Sequence, residues 1–252
     1  MTDQADAHTQ KRSLEGKKAL ITGGTTGIGR AIAVLLASYG VEVFICGRDA
    51  QHLKDALQRI NEVGKGDGIS LDLADPENVK RFFDAGVSAL GRIDVAVINA
   101  AISAGGITEL SESDLRYAIA VDFTAYLLSA HAAAQALRDH GDIVFIGSMS
   151  AHSLGAESSV YAGIKYGIQG FAEALRKELA PRNIKVALIE PGKTGADMQY
   201  EQYSAEEQAQ LIEKEEMLRA EDIAVGAHYI LTQPNRAIVQ QLTITPRQQP
   251  LK

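Results

Sequence analysis

The sequence predicts an α/β fold, a doubly wound parallel sheet of seven strands in a single domain. Three observations carry that expectation. Short apolar runs alternate with amphipathic stretches of helical length from Leu14 onward, the pattern of βαβ units. Glycine-rich or small-residue turns follow several of the apolar runs. No linker composition and no solenoid-type repeat interrupts the 252 residues, a length suited to one large domain.

The elements follow in order. The run 18–21 is a strand that ends in Thr22-Gly23-Gly24, and 30–39 is a helix that stops at Gly40. The β-branched run 41–46 is the second strand, and 50–62 is an amphipathic helix. A short strand at 69–71 precedes a helix over 76–90 with proline in its first turn. A strand at 95–98 leads to one long helix over 111–138, opened by Ser111 with Asp114 in near capping-box spacing. Strands at 142–146 and 184–189 flank a helix over 159–180. Residues 192–220 are irregular to helical and strongly charged, a lid over about 192–217 whose glutamates (Glu201, Glu206, Glu207, Glu213, Glu215, Glu216) form a solvated face. A helix over 221–232 and a strand over 237–245 close the domain, which spans 14–252; residues 1–13 are expected to be a flexible tail.

Composition removes several function classes. With 25 Lys+Arg against 32 Asp+Glu and no basic run, the chain has no electrostatic footprint for nucleic acid. No apolar stretch approaches the roughly 20 residues needed to cross a bilayer, so no membrane partner is expected. The polar first ten residues hold no secretory h-region, so a cytoplasmic localisation is expected. The one cysteine, Cys46, cannot form an intrachain disulfide or a zinc ribbon, and it lies in an apolar run as a buried small hydrophobe; no metal site is expected.

Ligands of doubly wound sheets bind beyond the carboxyl ends of the strands, so chemistry is sought there. After the first strand comes Thr22-Gly23-Gly24-Thr25-Thr26-Gly27-Ile28-Gly29, where glycines admit close approach of a diphosphate and the next helix offers free N–H groups. After the second comes Gly47-Arg48, with no acid for a ribose 2′-hydroxyl but an arginine suited to a 2′-phosphate; a solvated surface cation is the alternative. Asp49 is read as the N-cap of the following helix. Asp72-Leu73 follow the third strand, and the small Asn99-Ala100-Ala101 follow the fourth. After the fifth come Ser148, then Tyr161 and Lys165, four apart on one helix face. An ammonium near a phenol lowers the phenol pKa, which makes Tyr161 a usable acid/base, with Ser148 placed to hydrogen-bond a carbonyl oxygen.

These residues together resemble the classical short-chain dehydrogenase/reductase family over roughly 14–245. The match runs through the Gly23, Gly27 and Gly29 turn, Asp72, Asn99-Ala100, Ser148, Tyr161, Lys165 and Pro191-Gly192. The resemblance implies a Rossmann-type fold and NADP(H)-dependent interconversion of a carbonyl (aldehyde, ketone or 3-oxo acid) and an alcohol, with Tyr161 as acid/base. Cofactor contacts would come from Gly23, Thr25, Thr26, Gly27, Ile28, Gly29, Arg48, Asp72, Leu73, Asn99, Ala100, Tyr161, Lys165, Pro191, Gly192 and Thr194, with NADPH preferred over NADH. Ser148, Met149, His152 and Lys193 would face the small-molecule substrate.

Four positions depart from that family's pattern. Asp122 stands where an asparagine commonly orders water in a proton relay to the lysine, and is expected to serve with Ser148, Tyr161 and Lys165; its charge should favour the Lys165 ammonium. Ala101 replaces a glycine. Ala196 takes the place of a nicotinamide-side threonine, with Thr194 nearby. The ending Leu242-Thr243-Ile244-Thr245 replaces Val-Asp-Gly-Gly and resembles the branch of NADP-dependent 3-hydroxy acid and serine-type dehydrogenases. A homodimer or homotetramer is expected through the helices 111–138 and 159–180, supported by the small residues Ala130, Ala132, Ala133, Ala134, Ala136 and Leu137. The competing expectation is a dinucleotide-binding sensor with little or no turnover.

Overall fold

The runs beginning at Lys18, Val43 and Ile93 are apolar on both faces because helices cover both sides of the sheet they form. The structure is a computed structural model that describes residues 11–196, 198 and 202–248. Its main strands are β1 (Lys18–Ile21), β2 (Glu42–Gly47), β3 (Lys65–Ser70), β4 (Ile93–Ile98), β5 (Leu137–Ile146) and β6 (Lys185–Pro191). Two-residue strands β7 (Thr194–Gly195) and β8 (Leu218–Arg219) pair outside this sheet, and β9 (Gln241–Ile244) completes it. The order is β3-β2-β1-β4-β5-β6-β9, all pairs parallel, so the direction of winding reverses between β1 and β4. That reversal opens a crevice at the carboxyl ends of β1 and β4.

Two apolar layers sandwich the sheet. Helices α1 (Gly27–Ser38) and α2 (Ala50–Asn61) bury Ile32, Leu36, Ala56 and Ile60 on one face. Helix α3 (Pro76–Leu90) buries Val79, Phe82 and Phe83 on the other. Cys46 is fully buried and its thiol is pushed up to about 12 by desolvation, in keeping with a packing role.

The expected long helix over 111–138 is not continuous. It divides into α4 (Glu112–Ile119), a π-helical segment Ala120–Thr124, and α5 (Ala125–Ala136), and Leu137 already begins β5. The widened turn shifts the helical phase by one residue, but the uniformly small, apolar run 125–136 is too weakly periodic to show the shift. The turn matters because it surrounds Asp122 and brings both Asp122 and Tyr126 inside, at 0% and 1% exposure. Of the residues expected at an intersubunit face, Ala130, Ala133, Ala134 and Leu137 are buried within the subunit, in the layer that also holds α3, and Ala132 and Ala136 are partly buried against it.

Helix α6 (Ser159–Leu179) crosses to β6, and α7 (Ala205–Glu213) and α8 (Ala220–Leu231) follow the β7 loop. Glu206, Glu207, Glu213, Glu215 and Glu216 are exposed as expected, while Glu201 lies outside the described residues. The third strand is longer than its apolar residues suggest, 65–70 rather than 69–71, because it lies at the sheet edge and alternates exposed and half-buried positions. The last strand is shorter than expected, 241–244.

The expected tail at 1–13 lies outside the described residues up to position 10, and its last part is anchored. The Arg12 N–H donates to the Thr232 carbonyl, and its guanidinium donates to both Asp142 oxygens at 3.2 and 3.0 Å. Asp142 has only 4% side-chain exposure, and burial raises its carboxyl pKa against the pull of Arg12. Removing one partner of a buried ion pair typically costs about 3–5 kcal/mol. Arg12→Ala is expected to destabilise the fold near the lower end of that range, because Lys185 and Lys17 also face Asp142. A denaturant midpoint equal to that of the wild type would contradict this.

Candidate active site

The β1–α1 turn is built for close approach. Gly23 has φ +63°, and a Cβ there would sit 2.7 Å from the Ala100 Cα. A Cβ on Gly29 would lie 2.2 Å from the Gly23 carbonyl oxygen. Asn99 stitches this turn to β4: its amide donates to the Thr22 and Gly23 carbonyls at 3.1 Å each, and the Asn99 and Ala100 N–H groups donate to the Thr22 hydroxyl. Thr25 is buried against Gly47. Thr26 caps α1 without a side-chain bond, and the first turn, with Ile28, carries no acid. The α1 terminus thus presents backbone donors with no competing anion, the chemistry that a diphosphate requires. This donor set fits a dinucleotide.

Beyond β2 and β3, Asp49 caps α2 through the His52 N–H at 2.8 Å, which leaves Arg48 the cation at this strand end. Arg48 is exposed and donates to the hydroxyl of Tyr117, which in turn donates to Asp72 Oδ2 at 2.8 Å. The other Asp72 oxygen accepts from the Ala74 N–H at 2.9 Å, and Leu73 is buried.

At the end of β5 the structure brings Ser148, Tyr161, Lys165 and Asp122 together. Ser148 accepts from the Ser150 N–H at 3.1 Å, and its hydroxyl stands close enough to the Tyr161 phenol to pull that pKa down. Lys165 is 2% exposed, and its Nζ lies 5.5 Å from the Tyr161 ring centre. The ammonium is bonded elsewhere, to the Tyr126 hydroxyl and the Ile146 carbonyl, each at 3.3 Å. Tyr126 in turn donates to Ile146 O at 2.9 Å. Asp122 Oδ1 accepts from the Ile102 N–H at 2.8 Å, while Oδ2 is buried without a protein partner.

The electrostatics correct two expectations. Tyr161 was expected to have its pKa lowered by Lys165. Instead burial first, and the Asp122 charge second, hold it above the ordinary phenol value, and only Ser148 pulls it down. Lys165 was expected to be held cationic by Asp122. That pull exists, but desolvation exceeds it and the ammonium pKa is lowered. Asp122 itself is raised to about 6, by burial, against the attraction of Lys165 and the Ile102 N–H. The common cause is that these charges sit inside the apolar layer.

The remaining site residues line the loops above. Gly192 N–H donates to the Ile244 carbonyl at 2.7 Å, and Pro191 ends β6. The Thr194 hydroxyl donates to the Gly192 carbonyl at 2.9 Å within its own turn, so its proton is already engaged. Ala196 lies against Gly27. Lys193 Nζ stands 4.0 Å above the Tyr203 ring. Met149 opens the short turn after Ser148, and its carbonyl accepts from the His152 N–H. The His152 ring contacts Glu190 at 2.9 Å; Glu190 is fully buried, also takes the Gln241 amide, and leaves Oε1 without a partner.

Three site groups escaped the sequence reading. Tyr126 follows Asp122 by four positions, a usable signal once the helix is known to hold Asp122 inside. Glu190 adjoins Pro191-Gly192, and Tyr117 lies one helix segment before Asp122; neither has a local sequence signal for its partners.

Comparison with known proteins agrees with this geometry. The short chain dehydrogenase family pattern matches residues 17–207. An uncharacterized oxidoreductase of Staphylococcus epidermidis is 30% identical over 233 residues, 91% of this chain and 97% of that relative. A 3-oxoacyl-[acyl-carrier-protein] reductase of Aquifex aeolicus is 34% identical over 190 residues, 73% of this chain and 77% of that one. A short chain dehydrogenase of Burkholderia cenocepacia, solved in complex with NADP, superposes with a TM-score of 0.84 at 30% identity, covering 93% of this chain and 98% of that one. With the sheet order, the glycine turn and the Ser148, Tyr161 and Lys165 cluster in place, the chain belongs to the short chain dehydrogenase family of oxidoreductases.

Proposed function

We propose that this protein is an NADP(H)-dependent oxidoreductase that interconverts a carbonyl (aldehyde, ketone or 3-oxo acid) and an alcohol. The observation that carries this reading is the convergence of Ser148, Tyr161 and Lys165 at the strand ends beside the glycine turn. The cofactor would be held by the α1 terminus, Arg48, Asp72-Leu73, Asn99-Ala100 and the Pro191 to Thr194 turn. When bound it supplies or accepts the hydride. The chain supplies the rest. Ser148 hydrogen-bonds the carbonyl oxygen, and Tyr161 delivers its phenolic proton to that same oxygen. The phenol is protonated near neutral pH, the form that donates, and Ser148 is the one neighbour that acts to acidify it. Lys165, held by Tyr126 and Ile146, would return a proton to the phenolate, with Asp122, whose charge attracts it, as the neighbouring acid–base group. His152 and Lys193 would contact substrate. NADP is favoured over NAD because Arg48 stands where an acid would hold a ribose hydroxyl, and the Burkholderia cenocepacia relative was solved with NADP.

Oligomerisation is proposed through the outer faces of α4 and α6, where Ile119 and Tyr166 are exposed; a monomeric mass at micromolar concentration would contradict it. No helix among the described residues is long and apolar enough to cross a membrane.

Two experiments test the chemistry. A panel of aldehydes, ketones and 3-oxo acids should oxidise NADPH, and Tyr161→Phe should lower turnover by at least ~10²-fold while leaving cofactor affinity near wild type. No turnover with any carbonyl would favour the sensor reading, and retained activity in Tyr161→Phe would remove the proton-donor role.

Asp122 gives a prediction with a sign. Its folded pKa of about 6 lies above the ordinary 3.8, so ionising it opposes folding. That cost is absent below the ordinary value, grows between the two values, and is complete above the higher one. Asp122→Asn keeps the acceptor for Ile102 N–H and should therefore be more stable than wild type at pH 8, on the order of 1–3 kcal/mol, and equal to it at low pH. It should retain activity, whereas Asp122→Ala should slow turnover about ten- to a hundredfold. A pH-independent stability difference between Asp122→Asn and wild type would contradict the buried-charge account.

A further inference from the structure

The contact of Arg48 with Tyr117 is unusual for a surface arginine. The guanidinium donates to the phenol oxygen and its carbon lies 5.7 Å from the ring centre. The same hydroxyl spends its own proton on Asp72 Oδ2 at 2.8 Å. A neutral phenol is suited to accept from a cation and donate to a carboxylate at once. Burial, with Asp72 next, keeps Tyr117 above the ordinary phenol pKa although Arg48 pulls it down, so the hydroxyl keeps its proton. The three side chains come from three elements. Arg48 follows β2, Asp72 follows β3, and Tyr117 lies on α4, whose N-cap Ser111 accepts from the Asp114 N–H at 3.1 Å. Asp72 is fixed independently by the Ala74 N–H, so the chain has a rigid end on which the long arginine is hung.

We propose that Tyr117 is a positioning residue for cofactor selectivity: its hydroxyl, anchored on Asp72, holds the Arg48 guanidinium at the mouth of the crevice where a 2′-phosphate would bind. The inference rests on the NADP reading of Arg48. An unrestrained arginine loses side-chain entropy when it clasps a phosphate, and a partner that orders it beforehand lowers that cost. The Nη1 bond to the Tyr117 hydroxyl leaves the Nε and Nη2 N–H groups to donate in pairs to phosphate oxygens. Tyr117 acts on NADPH through Arg48, so its effect should vanish when Arg48 is gone.

The test is a fluorescence titration of NADPH and of NADH against wild type, Tyr117→Phe, Arg48→Ala and the double variant, with thermal melts confirming that each is folded. Phenylalanine keeps the ring and removes both hydroxyl bonds. Tyr117→Phe is expected to weaken NADPH binding about two- to tenfold, the cost of ordering one long side chain on binding, and to leave NADH affinity nearly unchanged. In the Arg48→Ala background the same substitution should have no further effect on the NADPH to NADH ratio. A ratio unchanged or raised in Tyr117→Phe, while Arg48→Ala lowers it, would overturn the role of Tyr117 and leave the reading of Arg48 standing. A ratio unchanged in both single variants would remove the reading of Arg48, and the proposal with it.

Discussion

The site depends on keeping an ammonium and a carboxylate inside an apolar wall. Lys165 and Asp122 are 2% and 0% exposed, and each is pushed toward its neutral form by desolvation. Neither could stay charged alone, because the cost of burying an isolated ion is several kcal/mol. Their mutual attraction, the Ile102 N–H on Asp122 and the two oxygens around Lys165 offset that cost. Asp122, in the π-helical turn at 120–124, and Tyr126, four residues on, both face inward where α4 gives way to α5. Buried, mutually coupled titratable groups of this kind cluster at functional sites.

The parallel sheet determines where this cluster can work. All seven strands deliver their carboxyl ends to one edge, and the reversal between β1 and β4 opens that edge. Asn99 then ties β4 to the glycine turn of β1, so the proposed phosphate-binding backbone and the proton-handling side chains share one rigid frame. Glu190 extends the frame further, joining the loop of His152 to β9 through Gln241.

Much of this was legible in the sequence for physical reasons. The apolar runs of buried parallel strands and the glycine spacing of a tight turn are local properties, and Tyr161 and Lys165 share a helix face by simple period. The N-cap at Asp49 was legible in the same way. What the sequence hid was not local. A polar edge strand at 65–70 has no apolar pattern to show. A widened helical turn shifts the phase by one residue, but the small apolar run after it is too uniform to show the shift, so 111–138 looks continuous. The alanines of α5 suit close packing but do not say against what; Ala130, Ala133 and Ala134 are buried in the layer that also holds α3. The direction of the Tyr161 shift depends on how deeply three charges are buried, and the contacts of Tyr117 join strand ends far apart in the chain.

The most direct test of the buried-charge account is a carbon-13 NMR titration of the aspartate carboxyl carbons, with Asp122 assigned by its loss in Asp122→Asn. The account predicts a midpoint for Asp122 near 6 in the free protein, and a further rise in Lys165→Met as the attracting ammonium is removed. A midpoint close to the ordinary 3.8, unmoved by Lys165→Met, would show that the two groups are neither desolvated nor coupled and would contradict it.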